Sequence, residues 1–438
     1  MRQMKDSGVK WIENIPSDWT IVPLKWIVKF GKGLPITKDN LVEQGVPVVS
    51  YGQIHSKTNS GTHLGKDLMR FVNEKYLQSN PSSLGKKGDI FFADTSEDYA
   101  GVGNAVLVDG DEPVFAGYHT VIVRPIDLLY SKYLAYLFLT DAWRSQLCSR
   151  VSGIKVFSVT QGLLKETTVI LPPTEKIATM TDYLDRKCAE IDAIIAKQQH
   201  IIEKLKEYKL SVITEAVTKG LNPNVPMKDS GVEWIGKIPE HWKIIKMKFL
   251  GKTRNGLTYS PEDLRDETDG ILVLRSANIQ NGKLDFTDKI YVSCPVKDEL
   301  MVKKGDILIC SRNGSRKLIG KNVIINTDIS ASFGAFMMIF RTPYNSEYIR
   351  YILNSDVFSY YLGTFLTSTI NQLTRNNFDN MVIPFTFNNE EQKYLVMYLK
   401  NRCDKIDELI RNKQVEIETL YKYKKSLIYE VVTGKMEV

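Results

Sequence analysis

Residues 183–218, YLDRKCAEIDAIIAKQQHIIEKLKEYKLSVITEAVT, align without a gap on residues 398–433, YLKNRCDKIDELIRNKQVEIETLYKYKKSLIYEVVT. In the first copy Ile177, Leu184, Ile191, Leu205 and Val212 recur in sevens, and Met180, Ile194, Ile201 and Tyr208 form a second series. Such spacing predicts a heptad seam. Leu399, Ile406, Leu420 and Leu427 answer the first series in the second copy, and Leu409 and Tyr423 the second. Each copy reads as one long amphipathic helix. A helix of about 45 residues would be roughly 65–70 Å long, too long for a compact domain to cover. It needs a partner helix, and the other copy is the obvious candidate. Gln198 and Lys413, at equivalent positions, interrupt the seam; they either fix register near a crossing point or turn outward.

The duplication runs beyond the helices. Residues 4–19 (MKDSGVKWIENIPSDW) return as 227–242 (MKDSGVEWIGKIPEHW), and Gly33-Leu34 returns as Gly256-Leu257. GVPVVSYGQI at 45–54 matches GILVLRSANI at 270–279, and Lys-Lys-Gly-Asp-Ile occurs at 86–90 and 303–307. The chain is therefore a domain-plus-helix unit written twice. Short β-branched or aromatic runs predict strands at 47–50, 90–93, 105–108 and 119–124, then at 271–274, 307–310, 323–325 and 336–340. Amphipathic helices are expected at 131–148 and 346–362. Pro172-Pro173-Thr174 opens the first long helix, and Asn388 with Glu391 resembles a capping box before the second. Gly220 and Gly434 follow their ends, and residues 222–226 (NPNVP) form a short, stiff link.

The expected fold is α/β (mixed α+β), with two recognition domains and a pair of long antiparallel coiled-coil helices related by an internal pseudo-twofold repeat. Boundaries fall at 1–170 for the first domain, 171–220 for the first long spacer helix, 221–382 for the second domain and 383–438 for the second helix. The 438 residues suffice for two cores. The start MRQMKDSG is not a signal peptide, and no apolar run is long enough to span a bilayer, so the expected compartment is the cytoplasm. The net charge of +7 sits mostly in the globular parts and permits a polyanionic partner without requiring one.

The residues of a catalyst are hard to assemble. The five cysteines (Cys148, Cys188, Cys294, Cys310, Cys403) lack Cys-x-x-Cys spacing and neighbouring histidines, which argues against a metal site. In an antiparallel pair Cys188 and Cys403 would lie roughly 30 Å apart, too far for a disulfide. The five histidines (His55, His63, His119, His200, His241) form no readable triad. Leu171-Pro172-Pro173-Thr174 lacks the polar residue and the aromatic of an amino-methyltransferase loop, Gly101-Val102-Gly103 lacks a third glycine, and Gly-Lys-Ser/Thr is absent. Glu207-Tyr208-Lys209 offers a nuclease-like Glu-x-Lys, but its repeat partner is Lys422-Tyr423-Lys424.

What remains is recognition, posed twice. After the Gly-Asp-Ile strand one repeat has the acidic Asp94-Thr95-Ser96-Glu97-Asp98, the other the basic Ser311-Arg312-Asn313-Gly314-Ser315-Arg316-Lys317. Arginine pairs bidentately with guanine, and Asp or Glu accepts from the cytosine amine; the alternative is two solvated loops. Ser50, Tyr51 and Gln53 match Arg275, Ser276 and Asn278, and Gln or Asn suits adenine, or else supplies turn polarity. Lys155, Ser158 and Gln161, with Gln372, Thr374, Arg375 and Asn376, form a polar set suited to phosphate contacts.

With these repeats laid out, the sequence resembles the specificity (S) subunit of type I restriction-modification enzymes over essentially its whole length. The resemblance rests on the paired Ser-Gly-Val-x-Trp-Ile-x-x-Ile-Pro-x-x-Trp openings, the Lys-Gly-Asp-Ile strands, Phe115-Ala116-Gly117-Tyr118-His119, and the proline-led exits into paired helices. Ile383-Pro384-Phe385 departs from it, since the family often has a second proline there. It implies double-stranded DNA as partner, each domain reading half of a bipartite site, with the helices as a spacer. It further implies two methyltransferase (M) subunits using S-adenosylmethionine on adenine, and restriction (R) subunits using ATP and Mg. No cofactor would be bound by this chain, which would be non-catalytic, and no membrane is implied. The rivals are a standalone nuclease or methyltransferase, whose motifs are missing, and a coiled-coil adaptor that binds proteins but no DNA.

Overall fold

The computed structural model describes residues 3–151, 156–366 and 371–438. The chain forms two compact units, one of Met1–Lys197 with Val415–Val438 and the other of Gln198–Gln414. The long helices are Thr174–Lys219 and Asn389–Val432. Each unit therefore takes one globular domain, the first half of one long helix and the second half of the other.

The first unit carries a four-stranded antiparallel sheet in the order Ala105–Leu107, Ile90–Ala93, Thr120–Pro125, Val28–Lys32. The second repeats it as Asn322–Ile324, Ile307–Cys310, Met337–Arg341, Lys252–Asn255. A second sheet in each domain contains one parallel pair, Val46–Val49 with Val114–Ala116 and Ile271–Leu274 with Ala331–Phe333. The strands thus fall where the β-branched runs place them. Ile90–Ala93 is buried on both faces: Ile90 and Phe92 pack with Tyr133 and Trp143, Phe91 and Ala93 with Val49 and Ile122. Double-sided burial explains its continuous apolar sequence.

Both domains bury an aspartate at the turn before that strand and answer it with an arginine. Arg124 Nε lies 3.0 Å from Asp89, and Arg341 Nη2 lies 2.6 Å from Asp306. Each carboxylate also accepts a turn N–H, from Lys86 or Lys303, at 2.8 Å. The repeated Lys-Lys-Gly-Asp motif is a turn closed by its own aspartate.

The helices expected at 131–148 and 346–362 are each broken. Leu129–Phe138 gives way to Asp141–Cys148, and Ser346–Ile352 to Asp356–Phe365. Thr140 restarts the first by accepting the Trp143 N–H, while Ser355 has extended backbone and donates its hydroxyl to Ile352 O. Periodicity carries through such breaks because both pieces bury the same face.

The seam also differs in phase. Leu184, Cys188, Ile191, Ile195 and Ile202 are buried, whereas Ile194, Tyr208, Leu409 and Tyr423 are exposed. Met180 of the expected second series is buried, but beyond it the buried stripe steps alternately by four and three residues, so the covered positions of that series lie one residue past the apolar residues that suggest them. Gln198 and Lys413 are half-buried in that stripe. The capping box forms only in part: Asn388 accepts from the N–H groups of Glu390 and Glu391, but the Glu391 carboxylate turns to Trp242 Nε1 at 3.0 Å.

Within each unit the two half-helices run antiparallel. In the first, Lys176 pairs with Asp18 near Trp19, where Gly434 packs, and Asp192 pairs with Lys424 two turns or more away. In the second, Gly220 packs on Trp242, and Lys209 pairs with Asp407. Gly220 and Gly434 have φ of +72° and +70°, the left-handed cap that glycine adopts without penalty.

Candidate nucleic-acid interface

Three loops meet at one end of each central sheet. In the first domain they follow Val46–Val49, follow Ile90–Ala93, and join Val114–Ala116 to Thr120–Pro125. Backbone bonds tie them together: Gly117 N–H to Val49 O (2.7 Å), Asp94 N–H to His119 O (3.0 Å) and Val159 N–H to Asp94 O (2.7 Å). The second domain makes the same three, Gly334 to Leu274 (2.9 Å), Ser311 to Phe336 (2.9 Å) and Leu373 to Ser311 (2.7 Å). Thr95 pairs with Ser158, as Arg312 pairs with Gln372. One backbone frame thus equates Asp94 with Ser311, Thr95 with Arg312, Ser158 with Gln372 and His119 with Phe336. A Cβ on Gly33 or Gly256 would come within 1.9 or 2.1 Å of the Gly117 or Gly334 carbonyl oxygen, which is why both repeats keep glycine there.

The side chains on this frame differ. In the first domain Thr95 Oγ1 donates to Asp94 Oδ1 (2.7 Å), and His119 Nδ1 lies 3.2 Å from the same oxygen. The Tyr51 ring stands edge-on to His119, Tyr118 and His55 at 5.4–6.2 Å. His55 Nε2 contacts Thr95 O at 2.7 Å, and Asn104 Nδ2 lies 3.0 Å from its Nδ1. In the second domain the Arg312 guanidinium lies 5.2 Å from the centre of the Phe336 ring, and Asn313 Nδ2 donates to Ser276 Oγ at 3.2 Å. Arg275 pairs with Asp288 at 2.7 Å. Glu97, Ser315, Arg316 and Lys317 are exposed.

Several residues singled out from sequence hold the frame itself. Ser50, Ser96, Asn278 and Ser311 are buried. The Asn278 carbonyl accepts from Arg275 N–H, and its amide donates to Asp285 O and Asp288 O, so no edge is left for a base. Gln53 Oε1 accepts from Ser50 N–H at 3.2 Å, Ser96 Oγ donates to Asp98 O, and Gln161 Nε2 donates to Gly31 O at 2.9 Å. Thr374 caps a short helix by accepting from Asn377 N–H, and Arg375 pairs with Asp379. Lys155 lies outside the described residues. His119 and Phe336 lie two residues after Gly117 and Gly334, which the backbone frame equates; that spacing is the signal by which the sequence marks them. Among the described residues no group of three or more His, Cys, Asp or Glu is placed to hold a metal ion, and no helix is long and apolar enough to cross a membrane.

One backbone frame thus presents two different sets of side chains. Residues 16–212 match the family described as type I restriction modification DNA specificity domain. Across 97% of its length the chain is 24% identical to the type I restriction enzyme MjaVIII specificity subunit of Methanocaldococcus jannaschii, covering 94% of that protein. It is 27% identical to the EcoKI specificity subunit of Escherichia coli K12, over 70% of this chain and 64% of that one. A solved chain from a study of assembly and conformational transition in a type I restriction-modification system shares the fold, with a TM-score of 0.70 at 17% identity, covering 96% of this chain and 99% of that one. By these similarities the chain resembles the type I restriction-modification specificity subunits. Members of this class are the non-catalytic, DNA-recognising components that assemble with methyltransferase and restriction subunits.

Proposed function

We propose that this chain reads an asymmetric, bipartite double-stranded DNA site, with residues 1–170 reading one half and 221–382 the other, and that the helices at 171–220 and 383–438 set the spacing. The observation that carries this reading is the shared loop frame with Asp94, Thr95 and His119 in one domain and, beside buried Ser311, Arg312 and Phe336 in the other. A frame kept twice with its exposed chemistry changed is what two different half-sites require. Tyr51, Asp94, Thr95, Glu97 and Ser158 form the first reading surface; Ser276, Arg312, Asn313, Ser315, Arg316, Lys317 and Gln372 form the second. Buried Ser50, Ser96, Asn278 and Ser311 shape the loops.

Two methyltransferase subunits dock on the same scaffold, using S-adenosylmethionine to methylate adenine, and restriction subunits add ATP- and Mg-dependent cleavage, all in the cytoplasm. A partner present in two copies calls for a surface present in two copies. Trp26 and Phe249 answer that description: they are repeat equivalents, each is 65% exposed, and each is flanked by exposed lysines, Lys25 and Lys29 or Lys248 and Lys252. They lie at the ends of Val28–Lys32 and Lys252–Asn255 away from the reading loops. Exposed aromatics of this size are typical anchors of protein interfaces.

The test is methylated-base sequencing of DNA from cells expressing this chain with a candidate methyltransferase, against the methyltransferase alone. A new bipartite adenine-methylated motif that needs both proteins is expected. A stable complex with an intact methyltransferase and no new motif would shift the reading to a protein-binding adaptor.

A further inference from the structure

We infer that His119 and Phe336 are specificity-determining residues at one equivalent position of the two half-sites. His119 reads a base bearing an exocyclic amine, and Phe336 reads a thymine methyl beside an arginine-read guanine. The inference rests on the proposed DNA-reading function and assigns a chemical task to a position within it.

His119 has a φ of 54°, one of two positive-φ residues other than glycine among those described. Such backbone is costly for a residue with a side chain, and here it turns the imidazole out of the sheet end, where its side chain is 57% exposed. The ring is nonetheless aimed. Asp94 Oδ1 and Thr95 Oγ1 lie 3.2 and 3.3 Å from Nδ1, and the Tyr51 ring stands across it at 5.4 Å. Among the described residues nothing bonds its Nε2. In the tautomer that carries its proton on Nδ1, directed at Asp94, Nε2 is an acceptor. In the major groove the complementary donors are the amines of adenine and cytosine. Asp94 is then a positioning residue, because it faces Nδ1 and fixes which nitrogen is presented.

Phe336 stands on the same frame position and is 57% exposed. It has no hydrogen-bonding group, so its contact with a base edge is apolar, and the thymine methyl is the one apolar feature of the major groove. Arg312 lies over its ring at 5.2 Å, which holds the guanidinium fork beside the phenylalanine. Guanine O6 and N7 are the acceptors that fork fits.

The test uses the complete complex and a panel of duplexes in which each base pair of the native site is replaced in turn, reading the ratio of methyl-transfer rates on native and replaced duplexes. His119→Asn keeps a residue tolerant of positive φ and removes the imidazole; His119→Phe and Phe336→His exchange the two readers. His119→Asn is expected to reduce discrimination at one position of the first half-site by about tenfold and to leave the second half-site unchanged. His119→Phe should favour thymine at that position, and Asp94→Asn should weaken discrimination there. The ratio is insensitive to a uniform loss of rate, so a partly damaged variant still answers. Phe336→His should lose the preference for thymine at one position of the second half-site, and discrimination within twofold of the parent at every position of the first half-site for His119→Asn, or of the second for Phe336→His, overturns that residue's assignment while the DNA-reading function stands. A parent complex without site-specific methylation removes that function itself.

Discussion

Lys209 Nζ lies 2.6 Å from Asp407 Oδ2 in one unit, and the repeat makes the same bond again in the other, between Lys424 and Asp192, also at 2.6 Å. The repeat alignment places Lys209 on Lys424 and Asp192 on Asp407. The first long helix therefore supplies the cation in one unit and the anion in the other, as antiparallel pairing of two like sequences demands. All four residues retain solvent contact, so each pair contributes about 0.2–1 kcal/mol. Asp407→Lys should lower the thermal midpoint by about 2 °C, and adding Lys209→Asp should restore most of it. A double variant no better than the single one would mean that the pair does not set helix register.

Burial raises the pKa of the Asp89 carboxyl, with Arg124 and the Lys86 N–H acting in the opposite direction. Arg124→Met leaves the carboxylate without its counter-ion and should cost about 3 kcal/mol near pH 7. The sign with pH follows from the raised value. Folded Asp89 takes up a proton more readily than unfolded Asp89, so its contribution is fully present below the ordinary value of 3.8 and is lost as pH rises through the raised one. Removing Arg124 raises it further, so the deficit against the parent should shrink as pH falls from 7 towards 4. Urea unfolding across that range measures it, and a deficit independent of pH would point to lost packing.

Trp26→Ala with Phe249→Ala should weaken methyltransferase binding at least tenfold while changing the stability of the free chain by less than about 0.5 kcal/mol, because both rings are exposed. Titration of the purified partner, with thermal unfolding of each variant, separates the two effects. Unchanged affinity would remove these residues from the docking surface.

Because each long helix enters both units, a deletion in one helix alone would slip the pairing and break Lys209–Asp407 or Asp192–Lys424. Removing one heptad from both helices, at matched positions beside residues 198 and 413, should leave both ion pairs and both half-sites intact and shorten the preferred DNA spacer. Sequencing of the methylated motif reads both quantities at once. Altered half-sites with an unchanged spacer would refute the spacing role of the helices.

The duplication, the two long helices and the central strands were legible in the sequence, because each is local: heptad spacing, a double-sided apolar run such as Ile90–Ala93, a Lys-Lys-Gly-Asp turn. So was the class of protein, through the ordered double occurrence of its motifs. The breaks at Thr140 and Ser355 were hidden, since apolar periodicity continues across them. The seam phase was hidden because Tyr208 and Leu409 look like core residues until a partner helix chooses which stripe is covered. Above all, side-chain roles depended on atoms far away in the chain. Asn278 reads as an adenine-binding amide until all of its groups are found bonded to Arg275, Asp285 and Asp288, while His119 gained its place only from Asp94 and Tyr51. Tyr133, whose hydroxyl donates to Val432 O across 299 positions of sequence, shows the physical reason: periodicity determines which segments form and which face is apolar, but only tertiary packing decides which polar groups are consumed inside the protein and which remain for a ligand.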